Sequence, residues 1–184
     1  MSGTEEVAVV RLDGPAAAAD EEAFRLVYAE VFAGPPYFET EETVAAAFRR
    51  FGTQTRRPTF LAALARGEDG EPVGMTYGFR LDAHTDWWDR LTTPVPADMR
   101  REDGHRTFGL MELAVRAPWR GRGIARRLHT TLLAGTDAER VLLNVHPENG
   151  AAVTAYRSWG YRKIGDARPW DEADLHDVML LRTP

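Results

Sequence analysis

The segment Leu110–Ala125 constrains the fold of this chain more than any other stretch. Its first part, Leu110–Val115, is an apolar run typical of a buried strand, and it carries one carboxylate, Glu112. Gly121 and Gly123 follow, and an apolar pattern with helical spacing begins directly after them. The first N–H groups of a helix have no partners within the helix, and aligned peptide dipoles add partial positive charge there. Glycine has no side chain that would keep an anion away from those N–H groups. The segment therefore predicts a strand, then a tight turn, then a helix whose N-terminus binds an anion.

The composition narrows the class of protein further. The chain has 184 residues, of which 43% are hydrophobic, and a formal net charge of −5. These values are typical of one globular domain and disfavour general binding of nucleic acid.

The absence of cysteine excludes disulfides, thiolate metal sites and a cysteine nucleophile. The five histidines show no paired ligand spacing, so we expect no metal. With neither a signal peptide nor a membrane-spanning run recognisable, we expect a cytoplasmic protein that binds no membrane.

Hydrophobic periodicity predicts strands and helices that alternate in the manner of an α/β protein. Strands are predicted at residues 7–12, 59–65, 71–80, 107–115, 141–145, 161–165 and 178–182. Helices are predicted at residues 21–32, from 40 to about 51, from 124 to about 135, and up to 159 after Asn149. Asp20, Thr40 and Asn149 are the predicted N-caps, and Asp13–Pro15 is predicted to be a turn.

Residues 81–106 show no clear period and include Trp87, Trp88 and many charged side chains. A connection of this length inside a compact domain is uncommon and is usually functional or disordered. Because bulky aromatic residues favour packing, we expect a substrate lid or insertion here rather than a disordered loop. Its acidic residues would attract a cationic amine, and the alternative is that the arginines standing among them nearly cancel this field.

Two motifs in the second half of the chain resemble those of one enzyme superfamily. The first is Arg120-Gly121-Arg122-Gly123-Ile124-Ala125, which matches a pyrophosphate-binding signature of the form Arg/Gln-x-x-Gly-x-Gly/Ala. The second comprises Asn149, Ala152, Tyr156, Gly160 and Tyr161 at the spacing Asn-x-x-Ala-x-x-x-Tyr-x-x-x-Gly-aromatic. With both motifs in this order, the chain resembles the GNAT N-acetyltransferases, which move an acyl group from coenzyme A to an amine.

The resemblance implies a fold and a co-substrate. The implied fold is an α/β (α+β) GNAT-like domain over residues 1–184. It has one mixed, mostly antiparallel sheet of six to seven strands and about four flanking helices. Acetyl-CoA is the implied co-substrate. Its pyrophosphate would bind the backbone amides of the first motif, at Arg120, Gly121, Arg122, Gly123, Ile124 and Ala125. Its pantetheine arm would pair with main-chain groups of Leu113, Ala114 and Val115 and contact Asn149.

The resemblance also implies that Tyr156 protonates the departing thiolate. The reaction further needs a general base that removes a proton from the amine, and the residues themselves suggest a candidate. A lysine-like amine has a pKa near 10.4, and only its neutral form attacks a thioester. Glu112 on the central strand is our candidate base, because apolar neighbours would raise its pKa. The alternatives are an ion pair between Glu112 and Arg116, core packing of Tyr156, and a purely capping role for Asn149.

The sequence therefore predicts an N-acetyltransferase whose acceptor is a small-molecule amine or a protein amine. Tyr37 and Trp87 are candidate substrate-binding residues, with ordinary packing as the alternative for each. A catalytically silent coenzyme A-binding sensor or interaction module is the main rival function. Nucleic-acid binding through the arginine-rich stretch 116–127 is disfavoured by the interleaved glycines and the net acidity. The sequence leaves homodimerisation open.

Overall fold

One mixed sheet of seven strands runs through residues 6–184, the part of the chain that the structure, a computed structural model, describes. The strands are β1 (Ala8–Asp13), β2 (Leu61–Arg66), β3 (Pro72–Arg80), β4 (Thr107–Val115), β5 (Arg140–Val145), β6 (Arg162–Ala167) and β7 (His176–Arg182). Their order in the sheet is β1-β2-β3-β4-β5-β7-β6. The prediction of a mixed, mostly antiparallel sheet is confirmed, because β4 and β5 pair in parallel while β1/β2, β2/β3, β5/β7 and β6/β7 are antiparallel.

Within residues 6–184, six α-helices accompany these strands. They are α1 (Gly14–Ala19), α2 (Glu21–Phe32), α3 (Glu41–Gln54), α4 (Ala97–Arg100), α5 (Ile124–Leu133) and α6 (Gly150–Ser158). Short 3₁₀ turns occur at Trp87–Arg90 and Ala117–Trp119. The four predicted helices correspond to α2, α3, α5 and α6, and the short α1 and α4 are additional.

The predicted turn at Asp13–Pro15 is wrong, because the chain enters α1 there. Asp13 is the N-cap, and its Oδ1 accepts a hydrogen bond of 2.9 Å from the backbone N–H of Ala16. Proline fits the first turn of a helix, where its missing N–H costs no hydrogen bond, and the alanines that follow are strong helix formers. Asp20 stands at the predicted N-cap position of α2, but its side chain makes no capping hydrogen bond, so the predicted capping role is wrong. Its carboxylate instead pairs with the guanidinium of Arg66 at 2.7 Å.

The chain divides into two compact units, of which the first contains residues 6–79 and 112–137. Helices α2 and α3 meet there through an aromatic core, in which the ring of Phe51 lies 5.2 Å from that of Phe24 and 5.0 Å from that of Tyr77. Thr40 begins α3 with a reciprocal capping box shared with Thr43, as its predicted N-cap role requires. This core therefore fixes the two helices and the loop between them.

The second unit contains residues 80–111 and 138–184. Segment 81–106 packs within it through Trp88, which is buried in a cluster with Leu142 and Val178. Arg140 and Glu102 form an ion pair of 2.8 Å in which both side chains are only 1% exposed. The segment is thus a packed element, as its aromatic residues predicted.

Several acidic residues of segment 81–106 are engaged in ion pairs. Asp89 pairs with Arg100 at 2.7 Å, and Asp98 pairs with Arg101 at 2.6 Å. These contacts partly neutralise the charge that was predicted to attract an amine. Among the described residues, no helix is both long and apolar enough to cross a membrane.

Candidate active site

Glu112 lies on β4 in the first unit, and its backbone is held against β3. The hydroxyl of Thr76, a fully buried residue, donates a hydrogen bond of 2.7 Å to the carbonyl oxygen of Glu112. Burial of the Glu112 carboxyl raises its pKa to about 8, the negative charge of Glu39 raises it as well, and Arg50 lowers it. A carboxyl group with such a pKa changes its protonation state close to neutral pH, which is what a general base needs.

The alternative in which Glu112 pairs with Arg116 is wrong. Nε of Arg116 lies 2.8 Å from Glu30, and its Nη1 lies 3.0 Å from Glu71. The guanidinium also donates to the carbonyl oxygen of Pro72 at 3.1 Å. Arg116 is therefore committed to two other carboxylates.

The loop between α2 and α3, residues 33–40, contains Glu39, whose charge acts on the carboxyl of Glu112. The hydroxyl of Tyr28, on α2, donates a hydrogen bond of 3.3 Å to Oε1 of Glu39. The ring of Tyr37 lies 4.8 Å from that of Phe32, which in turn lies 4.5 Å from Tyr28. Tyr37 thus belongs to a series of ring contacts, through Phe32 and Tyr28, that ends at the hydrogen bond to Glu39. Both its packing role and its candidate substrate role are compatible with this position.

The turn before α5 has the backbone that an anion site requires. Gly121 and Gly123 adopt positive φ angles of 73° and 75°, a region that side chains disfavour. A Cβ at either position would meet nothing within 4 Å, so the backbone conformation rather than crowding accounts for these glycines. Gly123 is the N-cap of α5 and has no side chain to cap the first-turn N–H groups. Ile124, almost fully buried, anchors the helix start, and Ala125 packs beside it.

The two arginines of this turn are held by neighbouring groups. Nε of Arg120 donates a hydrogen bond of 2.9 Å to the carbonyl oxygen of Val115. The guanidinium of Arg122 lies over the ring of Trp119, 4.9 Å from its centroid. The carbonyl oxygen of Val115 has a second lone pair, so it can accept a further hydrogen bond beside that of Arg120. Leu113 is partly buried and Ala114 is buried on the same strand.

Tyr156, on α6, and Asn149, the residue directly before this helix, both lie in the second unit. The side chain of Asn149 caps this helix, because its Oδ1 accepts a hydrogen bond of 3.1 Å from the N–H of Ala152. The buried ring of Tyr156 lies 5.5 Å from the ring of Trp159 and 5.4 Å from that of Tyr161. The helix cap is thus confirmed for Asn149, and Tyr156 packs among aromatic rings.

Trp87 also lies in the second unit, where it is partly buried against the cluster around Trp88. In the first unit, Tyr28 is linked to Glu39 by a hydrogen bond and to Tyr37 through the ring of Phe32, and the charge of Glu39 acts on the carboxyl of Glu112. Sequence reasoning assigned no site role to Glu39 or to Tyr28. Their spacing in the chain gives no signal for the hydrogen bond, which depends on how α2 packs.

Among the described residues, no three His, Asp or Glu side chains are arranged to hold a metal ion.

Comparisons with known proteins identify the family. A model of the acetyltransferase (GNAT) family matches residues 24–161. A segment of 70 residues, 38% of the chain, is 36% identical to the uncharacterized protein ML0378 of Mycobacterium leprae (strain TN), and it spans 20% of that relative's length.

Solved structures share the fold. PH1933 from Pyrococcus horikoshii OT3 has a TM-score of 0.68 and 18% identity, with 97% of this chain and 99% of that chain covered. The PaiA N-acetyltransferase from Thermoplasma acidophilum, solved in complex with coenzyme A, has a TM-score of 0.64 and 13% identity, with the same coverage. The predicted GNAT-like fold is therefore confirmed. Because the family model matches well over half of the sequence, the chain belongs to the acetyltransferase (GNAT) family, and its matched part is an acyltransferase.

Proposed function

We propose that this chain transfers an acetyl group from acetyl-CoA to a primary amine by direct attack of the amine on the thioester. The observation that carries the proposal is the carboxyl group of Glu112. Its burial raises its pKa to about 8 on the strand that leads into the glycine turn. A base with this pKa accepts a proton from an ammonium group far more readily than an ordinary carboxylate does.

Acetyl-CoA would bind at the turn that precedes α5. The positive φ angles of Gly121 and Gly123 and the uncapped first turn of α5 support binding of the pyrophosphate there. Arg120 and Arg122 supply positive charge at the same turn. The pantetheine arm would run along Leu113, Ala114 and Val115 and contact Asn149.

Proton movements define the roles of the two catalytic candidates. Glu112 takes a proton from the acceptor ammonium, and the neutral nitrogen then forms a bond to the thioester carbon. The carbon–sulfur bond breaks, and the hydroxyl of Tyr156 donates a proton to the thiolate that leaves. The nitrogen then loses a second proton, which restores the Tyr156 phenol, so the products are the N-acetylated amine, free coenzyme A and the one proton that Glu112 took from the ammonium group.

The acceptor is a small-molecule amine or a protein amine, and residues 1–184 act as one acetyltransferase domain. Trp87 and segment 81–106 would cover the acceptor as a lid, and Tyr37 would contact it from the loop between α2 and α3. The packing of Tyr37 against Phe32 supports its position at one edge of this site.

A thiol-release assay tests the proposal directly. Free coenzyme A is measured with acetyl-CoA and a panel of primary amines, for the wild type, Glu112→Gln and Tyr156→Phe. We expect each variant to lower kcat by about 10²–10⁴-fold, the usual contribution of a positioned acid or base. The wild-type rate should rise with pH to an inflection near 8, and Glu112→Gln should lack that inflection.

Coenzyme binding is the matched control for both variants. Calorimetric binding of coenzyme A should be unchanged by Glu112→Gln, because its carboxyl group lies away from the glycine turn in sequence and serves only the proton. Tight binding of coenzyme A with no turnover on any amine would refute the proposal and favour the silent sensor. Full activity of both variants would refute the assigned roles.

A further inference from the structure

The ring of Trp119 is fixed beside the start of α5. Trp119 ends the short 3₁₀ turn that precedes the glycine turn, and it is only 6% exposed. Its side chain belongs to an apolar cluster that includes Ile124 and Leu128, the first two buried positions of α5. The ring therefore keeps a constant position relative to the helix start that follows it.

The loop between β2 and β3, residues 67–71, also holds this ring. A Cβ at Gly67 would lie 3.2 Å from Cη2 of Trp119, so the backbone of the loop packs directly against the edge of the indole. The same loop is tied to Arg116, whose Nη1 lies 3.0 Å from the carboxylate of Glu71. The N–H of Trp119 in turn donates a hydrogen bond of 2.9 Å to the carbonyl oxygen of Arg116. These contacts leave the ring little room to move.

Arg122 is stacked on the fixed ring of Trp119. Its Cζ lies 4.9 Å from the ring centroid, inside the limit of about 6 Å for a cation–π contact. Arg122 is exposed and stands in the glycine turn, between Gly121 and Gly123. A guanidinium that stacks by its face keeps its N–H donors in its own plane, where a phosphate can approach two of them at once.

We propose that Trp119 is a positioning residue for coenzyme binding, because its ring holds the guanidinium of Arg122 where it binds a phosphate group of coenzyme A. The proposal rests on the proposed function, in which the backbone of the glycine turn binds the pyrophosphate. A side chain that is already ordered loses less freedom when a ligand binds, so the stacking tightens the complex. Trp119 and the loop of residues 67–71 thereby acquire a part in coenzyme affinity.

Substitutions of Arg122 test the phosphate contact. The Kd of coenzyme A is measured by calorimetry, a readout that does not depend on turnover. Arg122→Gln should raise the Kd about tenfold, because a hydrogen bond between charged groups is lost. Arg122→Lys keeps the charge without the planar donors and should restore part of the affinity. Arg56→Gln removes an exposed arginine that follows α3 and is the matched control, which should leave the Kd unchanged.

A second coenzyme identifies the phosphate group that Arg122 binds. Coenzyme A carries a pyrophosphate and a 3′-phosphate, whereas 3′-dephospho-coenzyme A carries the pyrophosphate alone. An effect of Arg122→Gln on both molecules assigns the contact to the pyrophosphate, and an effect on coenzyme A alone assigns it to the 3′-phosphate. An unchanged Kd for both molecules overturns the proposal.

Substitutions of Trp119 separate the aromatic face from packing. Trp119→Leu and Trp119→Phe both place a smaller apolar side chain in the cluster, but only phenylalanine keeps a ring under the guanidinium. We expect Trp119→Leu to raise the Kd of coenzyme A about three- to fivefold, the value of one exposed cation–π contact, and Trp119→Phe to stay near the wild type. Urea denaturation should show a loss of stability in both variants, so affinity rather than stability distinguishes them.

The double variant tests whether Trp119 acts through Arg122. When Arg122→Gln is already present, the ring has no guanidinium to position, and adding Trp119→Leu should raise the Kd no further. A purely structural effect of Trp119 on the glycine turn would instead raise the Kd by the same factor in both backgrounds.

The outcomes distinguish this inference from the proposed function. A wild type that does not bind coenzyme A refutes the coenzyme site of the proposed function, and the inference falls with it. A wild type that binds coenzyme A but acetylates no amine refutes the proposed function, and the Kd values still decide the inference. Equal Kd values for Trp119→Leu and Trp119→Phe, or additive effects in the double variant, overturn the inference alone.

Discussion

Replacement of Glu112 by glutamine should make the protein more stable, and increasingly so as the pH rises. The carboxyl of Glu112 has an ordinary pKa of 4.5 in the unfolded chain and a pKa of about 8 in the fold. Between these values the folded state keeps a proton that the unfolded state has lost. The free energy of unfolding therefore falls as the pH increases through this window, and it does not fall further once both states are ionised.

The magnitude follows from the two pKa values. One pKa unit corresponds to about 1.4 kcal/mol, so the interval from 4.5 to about 8 gives at most about 5 kcal/mol in the difference between wild type and Glu112→Gln. Below pH 4 both proteins carry a neutral group at this position, and the pH-dependent part of the difference vanishes. Near pH 9 the glutamine variant should have its full advantage, because it never needs to bury a charge.

Urea denaturation at pH 4, 6, 7.5 and 9 measures this difference directly. Groups that titrate in both proteins, such as the histidines, cancel when the two free energies of unfolding are subtracted. Glu42→Gln serves as the control for loss of an exposed acidic group. A stability difference between wild type and Glu112→Gln that is the same at pH 4 and pH 9 would refute the argument that burial governs this carboxyl group.

Three further predictions concern the turn, a helix cap and the buried ion pair. Gly123→Val should raise the KM for acetyl-CoA about tenfold while leaving kcat nearly unchanged, since a φ of 75° costs a side chain about 1–2 kcal/mol. If steady-state kinetics instead showed a fall in kcat like that of Glu112→Gln, binding and chemistry would not be divided between these positions. Thr40→Ala should destabilise the protein by about 1 kcal/mol in urea, because the capping box of α3 is lost, and an unchanged midpoint would contradict this. Arg140→Met should lower stability by about 3–5 kcal/mol in thermal or urea denaturation by leaving Glu102 charged and buried, and a neutral effect would show that this pair contributes little.

The sequence predicted the elements whose signals are local. Strand β4 has the predicted bounds, 107–115, because its apolar run ends at a proline-containing turn. Thr40 and Asn149 cap their helices as predicted, since a cap depends on residues only three positions apart. The glycine turn before α5 was predicted for the same reason, and its positive φ angles agree with it.

Two features were missed, of which one depends on a distant contact and the other has an ambiguous local signal. Asp20 is drawn away from its helix by Arg66, which is 46 positions further along the chain. Helix α1 was overlooked because Gly14 and Pro15 are common in turns, although proline also suits a helix start.

The buried pair of Arg140 and Glu102 has a consequence for the divergence of related sequences. Each side chain is 1% exposed, and each would be left as an isolated buried charge if the other alone were replaced. Single substitutions at either position should therefore be removed by selection, whereas a joint replacement by two apolar residues would be tolerated. In related chains, positions 102 and 140 should accordingly covary, although 38 positions separate them in sequence.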